Sequence, residues 1–151
     1  MLVSSPALAS TITGQASVID GDTLEIHGQR IHLSGVDAPE SDQLCRGGDS
    51  LQYRCGAKAA NELARFIAGR PVSCKGADID RYRRVVAVCF VGGDDLGEWI
   101  VRAGLAFDWP RYSSGKYAGA QKEAKRAGRG VWVGSYVVPW SYRACVKQQL
   151  S

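Results

Sequence analysis

The chain has no run of about 18 or more apolar residues, so it contains no candidate membrane-spanning helix. None of its five cysteines forms a C-x-x-C pair, which argues against a zinc site or a dithiol redox centre. It also lacks an internal repeat, a low-complexity linker and any composition break that would mark a second domain. A basic n-region is missing ahead of MLVSSPALASTITG, although Ala7, Leu8 and Ala9 make the A-x-A pattern that signal peptidase prefers. Residues 1–10 therefore read as a signal-peptide remnant or a disordered N-terminus, residues 11–134 as one ordered domain and residues 135–151 as an aromatic C-terminal extension.

What is present fits one ordinary globular domain: 151 residues, 45% hydrophobic and 23% charged. Lys plus Arg number 19 against 15 Asp plus Glu, a net charge of +4 that mildly favours an anionic partner. The distribution is more informative than the sum. RYRR at 81–84 and KEAKRAGR at 122–129 are basic clusters, whereas acids gather at 20–25 and 37–42. Acids ringed by bases suit a metal ion that meets a phosphate.

Five cysteines in so short a chain fit an oxidising compartment, secreted or periplasmic. Cys45 and Cys55 bracket the polar loop RGGDSLQYR, and Cys74 and Cys89 lie in two strand-like runs that DIDRYR joins as a hairpin. These are the expected disulfides. Cys145 is left over in the tail, so the expected monomer retains one thiol through which two chains could be joined.

QASVID, TLEIHG and QRIHLSGV alternate or run apolar between tight turns and read as a β-meander. AKAANELARFIAGRP places Ala57, Ala60, Leu63, Ala64 and Ile67 on one helical face and ends at Gly69 and Pro71. A short helix follows Asp95, which stands three residues before Glu98 in a capping-box analogue. SSGKYAGAQKEAKRAGRG reads as a Ser-capped helix. Early strands and later helices imply an α+β, β-rich arrangement: a small closed barrel with about three packed helices.

In VIDGDT, Asp20 and Asp22 flank Gly21, and in an extended chain their carboxylates point to one side. VDAPE adds Asp37 and Glu40, held in fixed relation by Pro39. Four carboxylates from two segments suit a hard divalent cation with positions left for water and phosphate oxygens.

The order VIDGDT, a strand ending in DAPE, the DRYRR turn, GLA, a helix and GVW resembles the staphylococcal nuclease family. The resemblance implies a five-stranded oligonucleotide-binding barrel and a calcium-dependent enzyme that cleaves phosphodiesters in DNA and RNA. An all-oxygen site would also take manganese or magnesium. The resemblance further implies Asp22 and Asp37 as direct metal ligands, the Ala38 backbone carbonyl as a third, and Asp20 behind them. It gives Glu40 as general base acting through water and Arg84 as the donor that stabilises the scissile phosphate.

The sequence departs from that pattern twice. His32 stands where the family carries a second phosphate-binding arginine, and a histidine is shorter and lacks the bidentate fork. It reads as a weakened catalytic clamp, with Arg30 two residues earlier as a substitute. Arg83 replaces a turn glycine, which strains the turn if positive φ is needed, or adds a phosphate contact beside Arg81. Tyr82, Trp109 and Tyr112 are the candidate base-stacking residues, whereas Trp99, Trp132 and Trp140 read as packing residues. Besides a nuclease, two functions stay open: a nuclease fold that binds anions without cutting, and an extracellular interaction protein using VVPWSYRACV as its partner surface.

Overall fold

The computed structural model describes residues 11–150; the signal-peptide expectation for residues 1–10 lies outside them. The first four strands are β1 (Thr11–Gly14), β2 (Ala16–Asp20), β3 (Thr23–Ile26) and β4 (Gln29–Leu33). Short pairs follow: β5 (Val36–Asp37), β6 (Cys45–Arg46) and β7 (Gln52–Tyr53). After helix α1 (Cys55–Ile67) come the long strands β8 (Val72–Ile79) and β9 (Val85–Val91), then β10 (Asp94–Asp95). The remainder is α2 (Leu96–Arg102), β11 (Phe107–Asp108), α3 (Pro110–Ser113), α4 (Ala118–Ala127), a 3-10 turn (Gly130–Val133) and α5 (Pro139–Leu150).

The main sheet runs β1-β8-β9-β4-β3-β2. Only Gln15 separates the two outermost strands in the chain, so one bent run borders β8 on one side and β3 on the other and curls the sheet round on itself. That gives five strand positions, with β4 parallel to β9 and the other pairs antiparallel. This is the β-rich α+β barrel with packed helices that the sequence implied.

Alternation explains the core. Ile31 and Leu33 of β4, Ala87, Cys89 and Val91 of β9, and Leu24 and Ile26 of β3 all point inward and are buried. Helix α1 closes one side by burying Ala59, Leu63 and Ile67 at intervals of four residues, and it ends where Ala68 turns left-handed at φ 51°. It can approach because Gly21 lacks a side chain: a Cβ there would sit 2.8 Å from the Cβ of Ala59. Helix α2 is capped as expected, since the Asp95 carboxylate accepts from the Gly97 and Glu98 N–H groups.

Among the described residues five helices form, where about three were expected. Pro110 opens α3 as a separate four-residue turn that takes Ser113, and Ser114 follows it at φ 53°. The next helix therefore starts at Ala118 behind Tyr117 with no side-chain cap, contrary to the expected serine cap. The C-terminal extension forms α5. It packs back on the domain: Phe107, Val131 and the Cys45–Cys55 pair make a second apolar cluster that Trp132, Tyr136 and Trp140 cover. Both expected disulfides are present, Cys45–Cys55 and Cys74–Cys89, the latter joining directly opposed residues of β8 and β9. Cys145 is free and exposed.

Candidate active site

Strand β2 passes a register break between Val18 and Asp20, then turns through Gly21 into β3. Asp20 and Asp22 thus stand at the same rim. Asp22 is buried, and its carboxylate accepts from the Thr23 hydroxyl at 2.9 Å and from the Ala38 N–H at 2.8 Å. The second bond clamps VIDGDT to VDAPE. Asp37 is only 1% exposed and lies opposite Phe107 in the β5–β11 pair.

Glu40 is set by a device that the motif did not reveal. The Gln43 side chain, fully buried, accepts from the Glu40 N–H at 3.1 Å, and the Gln43 N–H donates back to the Glu40 carbonyl at 2.8 Å. Gly56, at the start of α1, lies so close that a Cβ would come within 1.6 Å of the Glu40 carbonyl oxygen. The loop is wedged between Gln43 and α1.

On the opposite wall, the β8–β9 turn aims Arg84. One Asp80 carboxylate oxygen accepts from the Tyr82 and Arg84 N–H groups at 2.8 and 3.0 Å, and the other accepts from Arg84 Nε at 2.7 Å. With Nε held by Asp80, Arg84 lines the cleft. Arg83 does adopt φ 65°, so the missing glycine leaves a strained residue at this turn.

A cleft of about 510 Å³ gathers Asp20, Asp22, Asp37 and Glu40 with His32, Arg81, Tyr82, Arg84, Trp109 and Tyr112. Arg111 and Arg143 also line it, and neither stood out in the sequence. Arg30 and Arg83 lie outside the lining. Arg30 is exposed and faces Glu25 across the strand pair, whereas His32, further along the same strand, is buried. The His32 Nε2 is 3.6 Å from Asp22 Oδ2, and its ring meets the edge of Trp109. Guanidinium groups cover the aromatic walls: Arg81 and Arg84 lie over Tyr82, Arg111 over Tyr112 and Arg143 over Trp109, all within 5.2–5.6 Å of the ring centres.

The acids of the cleft differ in how readily they ionise. Burial raises the Asp20 carboxyl above its usual range, and the charges of Asp22 and Glu40 add to it. Burial also opposes the charge on Asp22, but the His32 ring and the bonds from Ala38 and Thr23 more than offset this and hold it low. Asp37 is pushed up to about 6 by burial, with Asp22 adding, even though Arg143 bonds to it. Even with Arg143 bonded to it, Asp37 is harder to ionise than an ordinary carboxyl, so further positive charge would favour its ionised form.

Arg143 reaches in from α5. Its Nη1 and Nη2 donate to the two oxygens of Asp37 at 2.9 and 2.8 Å, and Nη1 also donates to Glu40 at 2.7 Å. As the side chains stand, no three acidic, histidine or cysteine groups among the described residues converge as a metal cage. The Asp37 and Glu40 oxygens instead converge on the guanidinium.

A family model described as staphylococcal nuclease homologue matches residues 30–134. The chain belongs to the staphylococcal nuclease family. Among its relatives, the succinoglycan biosynthesis protein ExoI of Rhizobium meliloti is 47% identical over 126 residues, covering 82% of this chain and 66% of its own. A probable endonuclease of Komagataella phaffii is 30% identical, over 78% of this chain and 55% of its own. A micrococcal nuclease of Shigella flexneri is 28% identical, over 97% and 88%. The chain thus spans less than two thirds of the first two relatives. The staphylococcal nuclease match ends at residue 134, so Arg143 belongs to a segment that the family pattern does not cover. Asp80 carried a readable signal, since Asp opening a tight turn binds the backbone two residues on. Arg143 carried none.

Proposed function

We propose that this chain is a phosphodiester hydrolase that cuts DNA or RNA with calcium as cofactor and works in an oxidising, extracytoplasmic compartment. One observation carries the reading: Asp22, Asp37, Glu40 and Arg84 line a single cleft. The donor set is all oxygen, and Asp37, buried beside Asp22, resists ionisation even with Arg143 bonded to it, so the site fits a hard cation. Asp22, Asp37 and the Ala38 carbonyl would hold it, with Asp20 behind. When bound, such an ion supplies fixed positive charge against the phosphate. Manganese or magnesium has the same oxygen preference.

The protein's own groups do the rest. Glu40, one third exposed, takes the proton from a water whose oxygen bonds to phosphorus as the bond from phosphorus to the leaving sugar oxygen breaks, and that oxygen takes up a proton from solvent. Arg84 presents its two terminal nitrogens to the non-bridging oxygens, where negative charge grows in the transition state. His32 has its Nε2 turned toward Asp22 and acts on the phosphate weakly, if the ring is charged, beside the stronger Arg84. Exposed Tyr82 and Tyr112 flank the cleft mouth, where a strand of any sequence would lie against aromatic and guanidinium surfaces. Two disulfides support the compartment, and no helix among the described residues is long and apolar enough to cross a membrane.

The test is cleavage of plasmid and RNA in calcium and in chelator. Glu40→Gln should lower kcat by about 10²- to 10⁴-fold, and Asp22→Ala should abolish calcium-dependent cutting. Undiminished cleavage by Asp22→Ala in chelator would remove the mechanism. A second reading, anion binding without cutting, is favoured by the guanidinium seated between Asp37 and Glu40. Gel retardation by wild type that never cuts would select it.

A further inference from the structure

The contact between Arg143 and the two acids involves the groups that the nuclease reading needs free. Asp37 gives both oxygens to the guanidinium, and Glu40 gives one. A carboxylate so engaged in a bidentate pair has its strongest acceptor directions spent. A divalent ion claims the same oxygens, and a base hydrogen-bonded to an arginine is not free to accept a proton from water.

The rest of α5 is held lightly. Beyond Pro139 none of its described residues is fully buried. Trp140 stacks parallel to Trp109 with ring centres 6.1 Å apart, and the Tyr142 hydroxyl meets Asp42 at 3.4 Å. Just upstream, Gln43 Nε2 donates to the Val137 carbonyl at 2.7 Å. Gln43 is the residue that also sets Glu40, so the loop carrying the base and the approach to α5 share one buried side chain. The helix has a firm start at the buried Pro139 and the half-buried Trp140, and its later described residues are half-buried or exposed. Its main hold on the cleft is ionic, which is the kind of hold that a competing cation releases.

We propose that Arg143 is a tethered cation standing in the place of the divalent ion, and that α5 is therefore a built-in competitor for the site. The inference rests on Asp37 as ligand and Glu40 as base. Metal binding requires the guanidinium to withdraw from Asp37, and α5 loosens when it does. The ion's apparent affinity is lowered by the fraction of molecules in which Arg143 is seated.

The test measures calcium binding by calorimetry on the full chain, comparing wild type with Arg143→Ala and Arg143→Gln, alongside amide exchange across α5. Both variants should bind calcium at least about tenfold more tightly than wild type, a difference of about 1.4 kcal/mol. In wild type, calcium should lower amide protection in residues 139–150 and leave α1 unchanged. The exchange arm needs no substitution, so it decides the matter even if a variant folds poorly. Equal or weaker calcium binding by the variants, or α5 protection indifferent to calcium, overturns the competitor while leaving the nuclease reading to the cleavage assay. If no form binds calcium, the competitor and the metal assignment fall together.

Discussion

In the proposed mechanism Arg84 acts on the phosphate only if it is aimed, and the aim depends on Asp80. Replacing Asp80 by alanine deletes three acceptor contacts at once: the Tyr82 N–H, the Arg84 N–H and Arg84 Nε. Both side chains are partly exposed, 21% for Asp80 and 31% for Arg84, so water takes over part of what is lost, and the stability cost is about 1–2 kcal/mol. The catalytic cost is separate. An unanchored arginine regains up to about 2 kcal/mol of rotamer entropy that must be given up again on the phosphate, which lowers kcat about tenfold to thirtyfold. Deleting the guanidinium itself with Arg84→Ala should cost about 10²- to 10³-fold, as for other transition-state donors. The decisive assay is a double-mutant cycle of kcat on plasmid DNA in calcium. Because Asp80 works through Arg84, adding Asp80→Ala to Arg84→Ala should change the rate by less than about twofold. An unaltered kcat in Asp80→Ala, or a full tenfold effect persisting without Arg84, would refute the positioning role. A pH arm tests the same contacts. Burial opposes the charge on Asp80, but the Arg84 and Tyr82 bonds outweigh it and hold the carboxyl below its usual range. A depressed folded pKa stabilises above the unfolded value of about 3.9 and loses that benefit as pH falls through the folded one. Wild type should therefore melt above Asp80→Asn near neutrality, and the gap should close in that acid window.

Two further outcomes follow from the same geometry. Gly56→Ala would drive a methyl into the Glu40 carbonyl, so we expect a loss of about 1–3 kcal/mol in chemical denaturation together with a fall in kcat; a variant matching wild type in both would show that the α1 wedge does not set Glu40. Replacing Cys74 and Cys89 together by alanine opens a link between residues 15 apart in sequence and should cost about 3 kcal/mol. Cleavage rates well below the melting transition should barely change, because neither sulfur lines the cleft.

The barrel was legible because its signals are local and periodic. Alternation marked β2 to β4, the Cys74–Cys89 pairing marked the β8–β9 hairpin, and Asp95 marked the start of α2, each within a few residues. The acids were legible for the same reason, since VIDGDT and VDAPE each carry their geometry in a short segment. Arg30 shows the limit of that approach. Period-two alternation puts it on the same strand face as His32, but alternation does not say where along the strand the cleft ends, and Arg30 lies beyond its lining. The serines before α4 misled for a related reason: Ser113 and Ser114 look like caps, but Pro110 had already started a different turn.

Arg143 marks the harder limit, because its position depends on packing against segments distant in the chain. Trp140 covers a surface made by Phe107 of β11 and Val131 of the 3-10 turn, and α5 so placed points its arginine at Asp37, 106 residues earlier in the chain. No spacing within WSYRAC encodes that. The electrostatics do offer a route to the residue from the other end. Asp37 is 1% exposed and adjoins Asp22, also buried, and two such acids cannot both stay ionised without a positive partner. Wherever the motif VDAPE buries its first acid, the physical question is which cation answers it. Here the chain supplies one of its own in Arg143, so on the proposal above a metal would displace an internal partner rather than enter an unclaimed site.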